Sequence, residues 1–358
     1  MAEPMQIAFF GSSLVSAYWN GAATYYRGII RALAERGHQV TFYEPDAYDR
    51  QEHRDIPDPV WASVVVYDNG EDAALQALES ARGSDVVVKC SGVGVFDDLL
   101  EREALGVQDE ATSVIFWDVD APATLDRVGS DPSDPFRDCI PRYDLILTYG
   151  GGEPVIAGYE MYGAARVEPV YNALDPSTHA PVACDERFAG DLGFLGNRLP
   201  DREARVEEFF LRPAERLPQR RFLLGGSGWA DKPMPTNVSY LGHVYTAEHN
   251  AFNCSPTAVL NINRESMARY GFSPPTRVFE AAGAGACLIT DHWEGIGQFL
   301  EPDQEVLVVR SGEELTELIE DLTPERAREI GSAALARVLG EHTYAHRVER
   351  LEALLNGR

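Results

Sequence analysis

Within Ser273-Pro-Pro-Thr-Arg-Val-Phe-Glu-Ala-Ala-Gly-Ala-Gly-Ala-Cys-Leu-Ile-Thr290, Arg277 and Glu280 stand three residues apart. On a helix that spacing puts both on one face. An arginine presents a planar fork of donors suited to a diphosphate. A glutamate can accept two hydrogen bonds from a ribose. A surface ion pair is the structural alternative. Pro274 and Pro275 suit a helix start, where a missing N–H costs nothing. A second candidate is Phe116-Trp-Asp-Val-Asp-Ala-Pro122. Asp118 and Asp120 fall just past an apolar strand, where a carboxylate can take the proton of an attacking hydroxyl. Asp120 is the preferred base, because it lies nearer the start of the next helix. Capping that helix is the bland alternative for both.

Several apolar runs end in glycine: Gly11, Gly92 and Gly94, Gly150 to Gly152, Gly196, and Gly225-Gly226-Ser227-Gly228. Such turns let backbone amides approach phosphate, although a tight turn alone also calls for glycine. None fits G-x-x-x-x-G-K-[ST], and none gives G-x-G-x-x-G after the first strand. P-loop NTPases and NAD dehydrogenases are therefore disfavoured.

The chain has 358 residues and a formal charge of −26, from 31 basic and 57 acidic residues. That acidity argues against nucleic-acid and membrane-surface partners. Only Lys89 and Lys232 are lysines, so an anion site must be built from arginine or backbone amides. Five scattered cysteines form no C-x-x-C pair, which excludes a disulfide framework and fits a reducing cytoplasm. No apolar run approaches the ~18 residues of a membrane span, and no signal peptide is expected.

The elements that must position these residues alternate. Gln6–Phe10 reads as a strand, residues 21–36 as a helix ended by Gly37, and Val40–Tyr43 as the next strand. Such a β-α-β unit belongs to a parallel sheet. Strands follow at 86–89, 114–117, 145–148 and 167–170, with helices at 71–81 and 96–104. A Pro-, Asn- and Asp-rich break at 171–181 precedes a restart. Strands then fall at 192–195, 221–224, 238–241, 258–262, 287–290 and 306–309, with helices at 202–215, 276–284, 313–322, 325–339 and 345–355. The expected architecture is α/β, with two successive Rossmann-like domains and ligands at the carboxyl ends of strands.

Glu280-Ala-Ala-Gly-Ala-Gly-Ala-Cys-Leu-Ile-Thr290 with Asp291-His-Trp-Glu-Gly-Ile-Gly297 resembles the donor-site signature of GT-B glycosyltransferases. More narrowly, the chain resembles the CgeB-like (spore maturation protein-like) group of the glycosyltransferase group 1 superfamily. Arg36-Gly-His-Gln-Val40, Pro169-Val-Tyr-Asn-Ala-Leu-Asp-Pro176, Phe194-Leu-Gly-Asn-Arg198 with Arg202, Tyr240-Leu-Gly-His-Val244 and His342-Thr-Tyr-Ala-His-Arg347 extend it in order along the chain. One departure stands out. Many group 1 enzymes carry E-x7-E, and eight residues before Glu280 stands Phe272.

The resemblance implies two domains facing across a cleft: an acceptor domain over 1–171, a donor domain over 172–341, and a closing helix over 342–358 that returns toward the first. It implies transfer from a nucleotide-diphospho-sugar, a co-substrate, to an acceptor of unknown kind. No cofactor or metal is called for. The implied donor set is Gly11, Ser12, Asn197, Arg198, Gly226, Val244, Arg264, Arg277 and Glu280. Trp19, Asn20 and Tyr25 would line the acceptor pocket. Asp118-Val-Asp120 also resembles the D-x-D metal motif of GT-A transferases, which the double Rossmann layout disfavours. His38 reads as a turn residue. His243, His249 and His292 fall near the donor side, where a lone histidine is more often packed or solvated than catalytic. His342 and His346 lack a nearby third ligand. The rival readings are a non-hydrolysing sugar-nucleotide epimerase and a non-catalytic nucleotide-sugar binding protein.

Overall fold

The computed structural model describes residues 3–18 and 20–356. The chain divides into two compact units, residues 1–172 with 344–358, and residues 173–343. The sequence alone puts the boundaries after residues 171 and 341.

In the first unit, β1 (Gln6–Phe10), β2 (Gln39–Pro45), β3 (Ser63–Tyr67), β4 (Val86–Cys90), β5 (Ser113–Asp118), β6 (Leu145–Thr148) and β7 (Val167–Pro169) form one sheet. Its order is β3-β2-β1-β4-β5-β6-β7, and every pairing is parallel. β4 is buried throughout, as a strand covered by helices on both faces must be. β3 is the edge strand, and Val65 and Val66 stay exposed. The sequence reading passes over it, because its buried face is too short to show a pattern.

The helix Ala23–Glu35 buries Ala23, Tyr26, Ile29, Ile30 and Leu33, the residues at helical spacing. On it lies the helix Tyr344–Asn356. A Cβ on Gly28 would run into the Tyr344 ring, so glycine permits the close approach. Glu352 takes both Nε and Nη2 of Arg36 and meets His38 Nε2 at 2.9 Å. His38 Nδ1 accepts from the Met5 amide, so Nε2 carries the hydrogen that Glu352 receives. His38 is thus a buried structural residue. His342 precedes this helix and does not lie on it.

In the second unit, β8 (Leu192–Leu195), β9 (Phe222–Gly225), β10 (Val238–Gly242), β11 (Ala258–Asn261), β12 (Leu288–Asp291) and β13 (Leu307–Val309) make a parallel sheet of order β10-β9-β8-β11-β12-β13. Both sheets therefore carry the Rossmann strand order. Their switch points lie between β1 and β4 and between β8 and β11, where such sheets bind ligands. The helix expected over 202–215 is interrupted by a π turn at Glu207–Leu211. Pro213 follows at once, and the wider turn accommodates its missing N–H.

Candidate functional site

At the carboxyl ends of β8 and β9, two turns are laced together. Asn197 Oδ1 accepts from the Ser227 amide at 2.9 Å, and the Gly226 amide donates to Gly242 O at 2.7 Å. Gly226 has φ +122, and a Cβ there would run into the Gly196 carbonyl. Val244 is buried, and its carbonyl accepts from His249.

Arg198 corrects an expectation. Its Nε and Nη2 grip Glu203 at 2.8 and 2.7 Å, and Nη1 reaches Asp231 at 3.0 Å. Its charge is met by carboxylates, so it clamps the turns together and is not open to a diphosphate. Arg264 is exposed and donates to Asp201 at 2.7 Å.

Arg277 differs in kind. It lies at the start of the helix Thr276–Gly283. It donates to Asn253 Oδ1 at 3.2 Å and to Leu195 O at 3.1 Å, with no carboxylate in contact. Burial pushes its pKa below the usual arginine value, while nearby Glu280 works against that shift. Arg202, at the end of the β8 turn, has a buried Nε without a partner. Burial, then the charges of Arg264 and Arg277, lower its pKa as well. Partly buried arginines that repel one another mark a place where an anion repays desolvation. Arg202 was not singled out as a binding residue from sequence. Its signal is an arginine in the β-α turn leaving the central strand.

Glu280 shares the Arg277 helix, is partly exposed, and makes no ion pair with Arg277. The surface-pair alternative therefore does not describe them. Phe272, at the position of the first glutamate of E-x7-E, adopts φ +46 and donates its amide to Glu294 O at 2.6 Å. His243 and His292 are exposed. Among the described residues, one group has ligand atoms close enough to hold a metal ion: His179, His249 and Glu280.

In the first unit, the turn after β1 differs from expectation. The Gly11 amide donates to Tyr43 O at 3.1 Å and is not free for phosphate. A Cβ on Gly11 would enter the Phe42 ring, which explains the glycine by packing. Ser12 is buried and donates to Asn20 Oδ1 at 2.9 Å. Asn20 Nδ2 donates to Ser13 O and Ser16 O. Asn20 is therefore a loop staple. Tyr25 is 2% exposed, donates to Val170 O and accepts from Trp117 Nε1. It belongs to the core. Trp19 lies outside the described residues.

Asp118 is fully buried. Oδ1 accepts from Ser91 and from the Asp120 amide, and Oδ2 accepts from Tyr159. With both oxygens committed, it shapes the strand end and is not a base. Asp120 is exposed one step further on, at the start of the helix Ala121–Ser130.

The strand orders and helix placement match GT-B structures, and the chain has that fold. Sucrose-phosphate synthase from Thermosynechococcus elongatus is similar at TM-score 0.73 and 12% identity, over 99% of this chain and 98% of that one. HepE of Anabaena, solved with UDP-glucose, gives TM-score 0.67 and 12% identity over 99% and 100%. T4 phage BGT, also with UDP-glucose, gives 0.59 and 12% over 98% of each chain. Residues 202–353 match a family model described as glycosyl transferase-like. No curated protein matches the chain. None of the helices among the described residues is long and apolar enough to cross a membrane.

Proposed function

We propose that this protein is a glycosyltransferase of the CgeB-like group, moving a sugar from a nucleotide-diphospho-sugar to an acceptor hydroxyl. The observation that carries the reading is the pair Arg202 and Arg277. Both are partly buried without a carboxylate in contact, at the carboxyl end of β8, with Glu280 one turn further along the Arg277 helix. The family match over 202–353 and the UDP-glucose in HepE and BGT support it.

In this reading the second unit holds the donor. Arg202 and Arg277 face the diphosphate and neutralise charge that grows as the glycosidic bond breaks. Glu280 accepts from the ribose hydroxyls. The first unit supplies the acceptor side, and Asp120 takes the acceptor proton if configuration inverts. Arg202 and Arg277 meet the diphosphate charge, so the reaction is metal-independent. The test is incubation with a panel of nucleotide sugars, with and without EDTA, following free nucleoside diphosphate. Its release with EDTA present supports the reading. Epimerised donor without release points to an epimerase, and binding without turnover to a sensor.

A further inference from the structure

His179, His249 and Glu280 come from three separate stretches of the second unit. His179 lies in the segment after Asp175, His249 opens the short helix His249–Cys254, and Glu280 sits on Thr276–Gly283. Their ligand atoms all lie within 4.8 Å of one another, yet none of the three hydrogen-bonds to another.

The hydrogen bonds around the two imidazoles fix their tautomers. The Thr178 hydroxyl donates to Asp175 O at 3.1 Å. Its oxygen is then left to accept from His179 Nδ1, 3.0 Å away. His179 therefore carries its hydrogen on Nδ1 and presents the Nε2 lone pair. His249 Nε2 lies 3.3 Å from Val244 O, and a carbonyl can only accept. His249 therefore presents the Nδ1 lone pair. Histidines that ligate metals almost always donate their other N–H to a carbonyl or similar oxygen. Both do so here.

We propose that His179 Nε2, His249 Nδ1 and the Glu280 carboxylate form a site for a divalent transition metal of the zinc class, occupied in alternation with the nucleotide. Two imidazoles and one carboxylate suit zinc, whereas magnesium and calcium prefer all-oxygen sets. Tetrahedral bonds of ~2.0–2.1 Å place donor atoms ~3.4 Å apart, and each of the three residues offers a ligand atom within 4.8 Å of the other two. A fourth position stays open. The alternation rests on the donor-site reading, because it uses Glu280 twice. The metal site itself does not.

The experiment is zinc titration of the purified full chain against a chromophoric chelator, with and without UDP. One equivalent of zinc should bind. His179→Ala and His249→Ala should each abolish that binding while keeping the wild-type melting temperature. Thr178→Val, which removes the oxygen that orients His179, should weaken zinc by about 10- to 100-fold. UDP should raise the apparent zinc Kd. Absence of zinc binding, or binding retained in both histidine variants, overturns the site. If Glu280→Gln still weakens UDP in that case, the donor reading survives. Zinc binding that UDP leaves unchanged overturns the alternation and the ribose role of Glu280, and leaves the metal site standing.

Discussion

The guanidinium of Arg277 donates to the carbonyl oxygen of Leu195, the last residue of the central strand β8, at 3.1 Å. A helix start is thereby tied to the sheet's switch point. The bond orients the guanidinium without neutralising it, since a carbonyl carries no net charge. Removing a donor aimed at charge that grows in the transition state typically costs about 10²–10³ in kcat. Arg277→Ala and Arg202→Ala should each show losses of that order, and Arg277→Lys a smaller one. Arg198→Ala should lower the melting temperature more than kcat. Steady-state kinetics beside thermal melts separate the two classes.

Glu280→Gln keeps the shape of the side chain and removes its charge. Nucleotide affinity should fall by roughly 1.5–3 kcal/mol, or about 10- to 100-fold. Calorimetric titration with UDP measures it. An unchanged Kd in a folded variant would remove Glu280 from the donor site.

Asp118 and Asp120 should part company. Asp118→Asn loses charge-assisted bonds from Ser91 and Tyr159, each worth about 1.5–3 kcal/mol. Its melting temperature should drop clearly. Asp120→Asn should melt like the parent and lose about 10²–10⁴ in kcat if Asp120 is the base. Activity retained in Asp120→Asn means that another group takes the proton.

Glu101 is buried, and burial raises its pKa from 4.5 to about 7, against the opposing pull of Lys89 and Arg127. In this interval the folded state holds a proton that the unfolded chain has released. Stability from this group is therefore full below about 4.5 and lost as pH rises through about 7. Glu101→Gln removes the titration. The melting temperature of the variant minus that of the parent should rise between these two pH values. A flat difference would show that Glu101 stays ionised in the fold.

Much of the fold was legible because buried parallel strands are near-continuous apolar runs. Gln6–Phe10, Leu145–Thr148 and Leu192–Leu195 coincide with their observed strands. The β3 edge and the π turn before Pro213 were not legible, since each depends on tertiary surroundings. In the candidate site, the placement of Arg277 and Glu280 on one helix was readable from their spacing. Gly11, Ser12, Asn20 and Tyr25 were not. Whether an amide or hydroxyl is free for a ligand depends on partners distant in sequence, such as Tyr43 O for Gly11 and Trp117 for Tyr25. Arg198 and Arg202 are four residues apart in the same turn. Glu203, Asp231 and the burial of Arg202 Nε distinguish them, and no local motif encodes that.

The attachment of Glu352 to Arg36 and His38 gives synthesis of this chain an order. The first unit's last strand ends at Pro169, but the helix that covers Ala23–Glu35 ends at Asn356. At ~5–20 residues per second, a ribosome needs roughly 10–35 s to bridge that gap. During this time the earlier-made domain waits with Gly28 and His38 uncovered. The contiguous segment 173–343 can meanwhile complete its own sheet. The domain made first is thus the domain finished last, and its exposed face is the one a nascent-chain chaperone would have to shield.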